Sequence, residues 1–252
     1  MNSAPLAGKL MAMRMRPTIA VAAILGLAGC AMVAAITGPV RLIGHAVPAS
    51  ASHTAALPDR GQRRASLVLL EGAASVTVSS AALPGQLLRA WTPADSGIRP
   101  QLVVTAGTVQ VDLDGTGRSG PGALSIQLSS SVRWQLRFSG GSSHTDLNIG
   151  NGHVSGIDFT AGSSVIAMTL PRPSGTVTIT LAGGASQVSV RLPAGVPARL
   201  RLYGGASAAT VGGRSYTGIA GGTVLTPSGW TAAVDRYDVA APAGVSTISV
   251  TR

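Results

Sequence analysis

One short phrase recurs seven times along this chain: a Gly, one or two small residues often including Ser, then a run that alternates apolar and polar side chains. The copies are Gly72–Val78, Gly107–Leu113, Gly141–Ile149, Gly162–Leu170, Gly184–Leu192, Gly205–Val211 and Gly244–Val250. Self-similarity of this kind marks a stacked architecture, in which each unit buries its apolar side against the next. Gly141, Gly162, Gly184 and Gly205 follow one another at intervals of 21, 22 and 21 residues. Each interval holds a second alternating run, such as Thr176–Leu181. Two strands of about six residues with two turns use up that spacing.

The alternation has one polar face throughout. Val132, Trp134, Leu136 and Phe138 oppose Arg133, Gln135 and Arg137, and Val177, Ile179 and Leu181 oppose Thr176, Thr178 and Thr180. Val188, Val190 and Leu192 oppose Gln187, Ser189 and Arg191, while Leu200 and Leu202 oppose Arg199, Arg201 and Tyr203. A period of two with one polar face means a half-buried strand. The reading is an all-β domain over residues 65–252, either a β-solenoid or a stacked two-sheet repeat. Gly244 follows Gly205 at an interval of 39 residues, almost two units. Gly212 to Asp235 reads as a loop that interrupts one unit and covers the open end. The same interval holds Tyr216, Trp230 and Tyr237, in a chain where aromatics make up only 3%. These three are the candidate aromatic contacts for a partner.

The amino-terminal part reads differently. Thr18 to Val40 carries no charge over 23 residues, which as a helix spans about 35 Å. Lys9, Arg14 and Arg16 precede it, so the positive-inside rule leaves the N-terminus in the cytoplasm and exports the rest. The expected organisation is a cytoplasmic tail (1–16), a single transmembrane helix (17–43), a flexible tether (44–64) and an extracytoplasmic β-repeat domain (65–252). An alternative is carried by Leu27-Ala28-Gly29-Cys30, which resembles a bacterial lipobox and makes Cys30 a lipidation candidate after cleavage of a signal peptide. The apolar run continues past Cys30 through Ile36, where a polar stretch would suit a lipoprotein better.

Catalytic equipment is sparse. Cys30 is the only cysteine, which excludes a disulfide within one chain. His144, Asp146, His153 and Asp158 lie close in sequence and are residue types that bind divalent metals. However, His144 and Asp146 share the outer face of a strand, opposite Leu147 and Ile149, and His153 falls in an Asn-Gly turn, so no metal site is assigned. Gly115-Thr116-Gly117-Arg118-Ser119-Gly120 matches a dinucleotide fingerprint in letters only, because Pro121-Gly122 and a strand follow it where the motif needs a helix. Glu71 is the only glutamate, and Asp112 and Asp114 read as solvated strand residues. No catalytic residue and no cofactor are assigned, and the chain reads as a non-enzyme. Net charge is +10, with 19 basic residues against nine acidic. Nucleic-acid modules combine such charge with stacking aromatics, so nucleic acid is not an expected partner. The arginines look scattered over separate strands, with only Arg60, Arg63 and Arg64 clustered.

The phrases Pro171-Arg-Pro-Ser-Gly-Thr-Val, Gly183-Gly-Ala-Ser-Gln-Val-Ser-Val, Pro193-Ala-Gly-Val-Pro-Ala-Arg, Asp235-Arg-Tyr-Asp-Val and Gly244-Val-Ser-Thr-Ile-Ser-Val resemble the bacterial putative-adhesin, or toastrack, β-repeat domains. Similar repeats end the cell-wall-active antibiotic response proteins. The resemblance covers roughly residues 89–252. It implies an envelope-attached β-repeat that senses, adheres or scaffolds, and it brings no catalytic residues. The expected role is thus a single-pass cell-membrane protein whose exported β-domain binds cell-wall polymer or another envelope protein. The alternatives are a structural spacer and a polysaccharide-processing β-solenoid enzyme.

Overall fold

Alternating side chains build two stacked sheets. The computed structural model describes residues 40–42 and 53–252, and these form two ten-stranded sheets. The first runs, in spatial order, β1 (Val40–Leu42), β6 (Ile98–Thr105), β7 (Thr108–Gly115), β3 (Arg64–Leu69), β9 (Arg133–Phe138), β11 (His153–Phe159), β13 (Thr176–Leu181), β19 (Arg236–Ala241), β15 (Ala198–Leu202) and β18 (Thr223–Leu225). The second runs β17 (Arg214–Ile219), β16 (Ala206–Val211), β20 (Val245–Thr251), β14 (Ala185–Arg191), β12 (Ser163–Thr169), β10 (Ser142–Asn148), β4 (Ala73–Ala81), β8 (Ala123–Ser129), β5 (Gln86–Thr92) and β2 (His53–Pro58). The chain passes from one sheet to the other and back, as a solenoid does, with parallel neighbours through the middle.

Both ends are closed by antiparallel strands. β6 and β5 run against β7 and β8, while β18 and β17 run against β15 and β16. The interval from Gly212 to Asp235, read from sequence as a loop over the end, therefore contains β17 and β18, which serve as the cap. Capping answers the edge problem of a stacked sheet, whose last strand otherwise offers unpaired N–H and C=O groups.

Two coils sit out of chain order. β3 lies between β7 and β9, and β4 between β8 and β10. At the other end β19 lies between β13 and β15, and β20 between β14 and β16. The chain's last coil is therefore an internal layer. Equivalent inward patterns make this possible. Leu67, Leu136, Ile157, Ile179, Val239 and Leu200 form one in-register row across six strands, all buried. In a neighbouring row the Phe138 and Phe159 rings stack at 4.8 Å. An inward Thr145 is accommodated by a hydroxyl chain, with Ser142 Oγ 2.6 Å from Thr145 Oγ1 and 2.9 Å from Ser163 Oγ. Those bonds offset the cost of burying a hydroxyl.

Six of the seven glycine-led phrases enter the second sheet. The phrase at Gly107 enters the first, through a tight hairpin from β6 into β7. There Ala106 and Gly107 both take positive φ, at 48° and 80°, the geometry of a two-residue hairpin turn. Elsewhere the glycines let backbones stack: a Cβ on Gly183 would overlap the backbone of Ala161.

The expected tether needs correction. His53–Pro58 is strand β2, paired with β5, and its Ala55 and Leu57 are buried. The alternation across this short stretch buries two apolar residues, and that suffices to order it. The end of the expected anchor is also a strand, since Val40–Leu42 pairs with β6. The preceding residues, Cys30 included, lie outside the described residues. Among the described residues no helix is long and apolar enough to cross a membrane.

Candidate interaction surface

The outward side chains of the first sheet form three rows across its parallel strands. The first row starts each strand: Arg64 on β3, Arg133 on β9 and His153 on β11, with Thr176 on β13 beside Arg236 on β19. The second row carries Ser66, Gln135, Gly156, Thr178, Asp238 and Arg199. The third carries Val68, Arg137, Asp158, Thr180, Ala240 and Arg201. A β-bulge between Val154 and Gly156 restores the register after His153. Thr178 and Ala240 are small, while the Gln135 side chain lies over Gly156, where a Cβ would come within 2.6 Å of its Oε1.

Acid–base pairing differs from row to row. In the third row Arg137 lies 3.9 Å from Asp158, whose other neighbour is the Gln135 amide at 3.1 Å. Asp238 in the second row is buried and receives two guanidinium groups, Arg199 at 2.7 Å and Arg201 at 2.9 Å. Burial pushes the Asp238 carboxyl up, but hydrogen bonds and charge from Arg199 and Arg201 outweigh it and hold it below its ordinary value. Burial likewise lowers Arg201, and Asp238 more than compensates, so Arg201 is raised. In the first row the pairing stops. Among the described residues, the side chains of Arg64, Arg133 and His153 make no hydrogen bond and no ion pair. Arg236 bonds only to neutral groups: Thr176 Oγ1 at 2.9 Å and the carbonyls of Trp230 and Thr231.

The segment between β18 and β19 crosses the outer face at its C-terminal end. Trp230 is held there between Arg199 and Arg236, whose guanidinium carbons lie 3.9 and 4.1 Å from its ring. Its indole N–H donates to the Tyr237 carbonyl at 2.8 Å. Trp230 is only 7% exposed, so it clamps this segment to the sheet. Tyr237 is 0% exposed, and its hydroxyl donates to the Pro171 carbonyl at 2.8 Å. Burial raises its phenol above the usual range. Two of the three candidate contact aromatics thus spend their rings on the protein itself. Tyr216 is half-buried on β17 and lines a cleft of about 260 Å³ with Arg214, Leu225, Pro227 and Arg252. An adjoining cleft of about 370 Å³ is lined by Leu192, Val196, Val211, Pro227 and Val250.

Other residues weighed from the sequence fall in separate places. His144 and Asp146 lie on the second sheet, whereas His153 and Asp158 lie on the first, and His153 opens β11 instead of sitting in the turn before it. Glu71 accepts from the Leu113 N–H at 2.8 Å, which continues a ladder where β3 has ended. Asp114 pairs with Arg99 at 3.6 Å and with the Gln101 amide.

Sequence reading overlooked the basic face. The arginines look scattered because the strands that carry them are far apart in the chain. Register sets Arg64 directly beside Arg133, although 69 positions separate them. The available signal was positional, since Arg64, Arg133 and Arg236 each open a strand whose next residue faces inward. Two outward aromatics stand outside the three candidate contacts, although the alternation already set Tyr203 on the outer face of its strand. Tyr203, just after β15, is 51% exposed and its hydroxyl accepts from Arg201 at 3.0 Å. Trp91 on β5 lies under the Arg89 guanidinium at 5.0 Å.

No family model matches the chain, and no curated protein matches it. Solved structures do. A putative adhesin from Bacteroides fragilis aligns over 79% of this chain and 97% of its own, at 9% identity and a TM-score of 0.27. A putative cell adhesion protein from Clostridium sporogenes aligns over 80% of this chain and 98% of its own, with 16% identity and a TM-score of 0.57. The chain therefore shares the fold of that cell adhesion protein, the stacked β-repeat that its glycine-led phrases resemble.

Proposed function

We propose that this chain is a non-catalytic, membrane-attached module of the bacterial cell envelope, whose β-domain lies outside the cytoplasm and acts by binding. The carrying observation is the fold it shares with a protein described as a putative cell adhesion protein, over 98% of that protein's length. The uncharged stretch Thr18 to Val40, with basic residues before it, supports attachment and export. The first sheet supports the binding role. It presents a broad outer face where arginines outnumber carboxylates, and guanidinium groups are well matched to oxyanions.

The test is fractionation of cells producing the full chain with a C-terminal tag. The tagged protein is expected in the membrane fraction and open to protease added to cells stripped of their wall. A soluble cytoplasmic protein, or a tag shielded until the membrane is breached, would overturn the reading. Cys30→Ser separates the two forms of attachment, because a lipid anchor loses mass and retention and a spanning helix loses neither.

A further inference from the structure

The first outward row of the first sheet contains a charge arrangement that the fold does not need. Arg64 and Arg133 are direct in-register neighbours on adjacent parallel strands, and His153 follows Arg133 on the next strand. Like charges set side by side on a sheet repel one another and cost stability. The arginines of the other two rows each meet a carboxylate, Arg137 at Asp158 and Arg199 and Arg201 together at Asp238. No carboxylate occupies a position in the first row, which ends at Arg236, whose side chain meets only neutral partners; the acid adjoining that end, Asp235, accepts from the Gly175 N–H at 2.7 Å. Arg63 and Arg60 precede the row in the chain and are exposed, with Asp59 the nearest acid in sequence. Neighbouring strands are about 4.8 Å apart, so from β3 to β19 the row extends roughly 19 Å.

The shape of this charge selects among anions. It is close to a line one residue wide, because Asp158 and Asp238 leave the second and third rows with a single uncompensated positive charge, at the Arg199–Arg201 end. A membrane surface is a plane of headgroups and is met best by a two-dimensional patch. Single-stranded nucleic acid needs aromatic platforms for its bases, and the outward positions of β3, β9, β11, β13 and β19 carry no aromatic residue. A flexible linear polyanion fits, because it can lie along the row with successive oxyanions at successive strands.

We propose that the row from Arg64 through Arg133 and His153 to Arg236 is a docking line for a linear, base-free polyanion of the cell envelope, such as a phosphodiester-linked polyol chain. This deepens the binding role proposed above and rests on it for the place where the two would meet. The test is made with purified full-length chain, so it does not depend on where the protein resides in the cell. Binding is measured against a poly(glycerol phosphate) chain over a range of salt concentrations. Arg64→Gln with Arg133→Gln is compared with Arg191→Gln plus Arg214→Gln, an equal loss of charge from the second sheet.

The first pair is expected to weaken binding at least about tenfold at moderate salt and to flatten the salt dependence by roughly 1.4 in slope. The second pair should change neither by more than about twofold. Equal effects from the two pairs would reduce the interaction to net charge and overturn the proposal, as would no binding at all. Tighter binding to anionic phospholipid vesicles, or to an oligonucleotide of equal charge, would also overturn it. Thermal unfolding guards against misfolding. Relief of like-charge repulsion should leave the Arg64/Arg133 variant at least as stable as the parent chain.

Discussion

The Arg199 guanidinium meets the Asp238 carboxylate at 2.7 Å, joining β15 to β19 across 39 positions of sequence. Arg201 joins the same carboxylate from the same strand, with Nε 3.0 Å from Oδ1. One buried acid thus fastens the chain's last coil to the coil made before it.

Asp238→Asn should therefore cost more than an exposed pair would. Removing one partner from a largely buried ion pair leaves the others poorly compensated, and about 2–3 kcal/mol is expected. The pH dependence follows from the sign of the shift. Asp238 is held below its ordinary value of 3.8 in the folded state, so its contribution is present above that pH. It is lost as pH falls through the lower, folded value. Urea unfolding of parent and variant at neutral and acidic pH checks both points. A difference that stays constant with acidification would contradict the assignment.

Tyr237→Phe isolates a single buried hydrogen bond. The hydroxyl donates to the Pro171 carbonyl at 2.8 Å and is shielded from water. Its loss strands that carbonyl and should cost about 1–2 kcal/mol. Because burial raises the phenol, the folded state favours the neutral form. That contribution is present below the ordinary tyrosine value of 10.0 and is lost as pH rises through the folded one. Ultraviolet titration should find the Tyr237 phenolate appearing only with unfolding. Reversible ionisation in the folded protein near the ordinary value would refute this.

Two glycines offer a contrast in close approach. A Cβ on Gly183 would overlap the Ala161 backbone one coil away, whereas a Cβ on Gly115 meets nothing within 4 Å. Gly183→Ala should push adjacent coils apart and cost about 3 kcal/mol or prevent folding. Gly115→Ala should be silent within about 0.5 kcal/mol. Thermal midpoints of the two variants, measured side by side, decide the matter. Similar midpoints would mean that the coils are not packed as closely as described.

Deleting residues 236–252 should not behave as the trimming of an end. β19 and β20 lie between coils that are consecutive in the chain, and they bring Tyr237, Val239, Ile248 and Val250 into the core. Their loss separates β15–β18 from the rest of the stack. Limited proteolysis should then cut readily between residues 196 and 225, a region that resists it in the full chain. Equal resistance in both proteins would show that β15 can close directly onto β13.

The alternation of side chains settled much before any coordinates. Val177, Ile179 and Leu181 face inward because a strand repeats every two residues, and burying them removes apolar surface from water. The spacing of Gly141, Gly162 and Gly184 set the size of a coil, since two strands and two turns occupy a fixed length. The same pattern concealed the order of the coils. β13, β15 and β19 each offer alternating apolar residues to the core, so local sequence favours no neighbour over another, and only closure of the whole stack placed β19 between the other two.

That placement also decided what the surface offers. Tyr237 and Tyr216 are both tyrosines in the same irregular stretch, yet one points inward from a central strand and the other sits on the capping strand. Arg64 and Arg133 are unrelated in sequence until pairing of β3 with β9 makes them neighbours. Strand identity and inward face belong to local chemistry, which a sequence carries at every position. Strand order and the charged row arise from contacts between distant segments, and those exist only once the chain has folded.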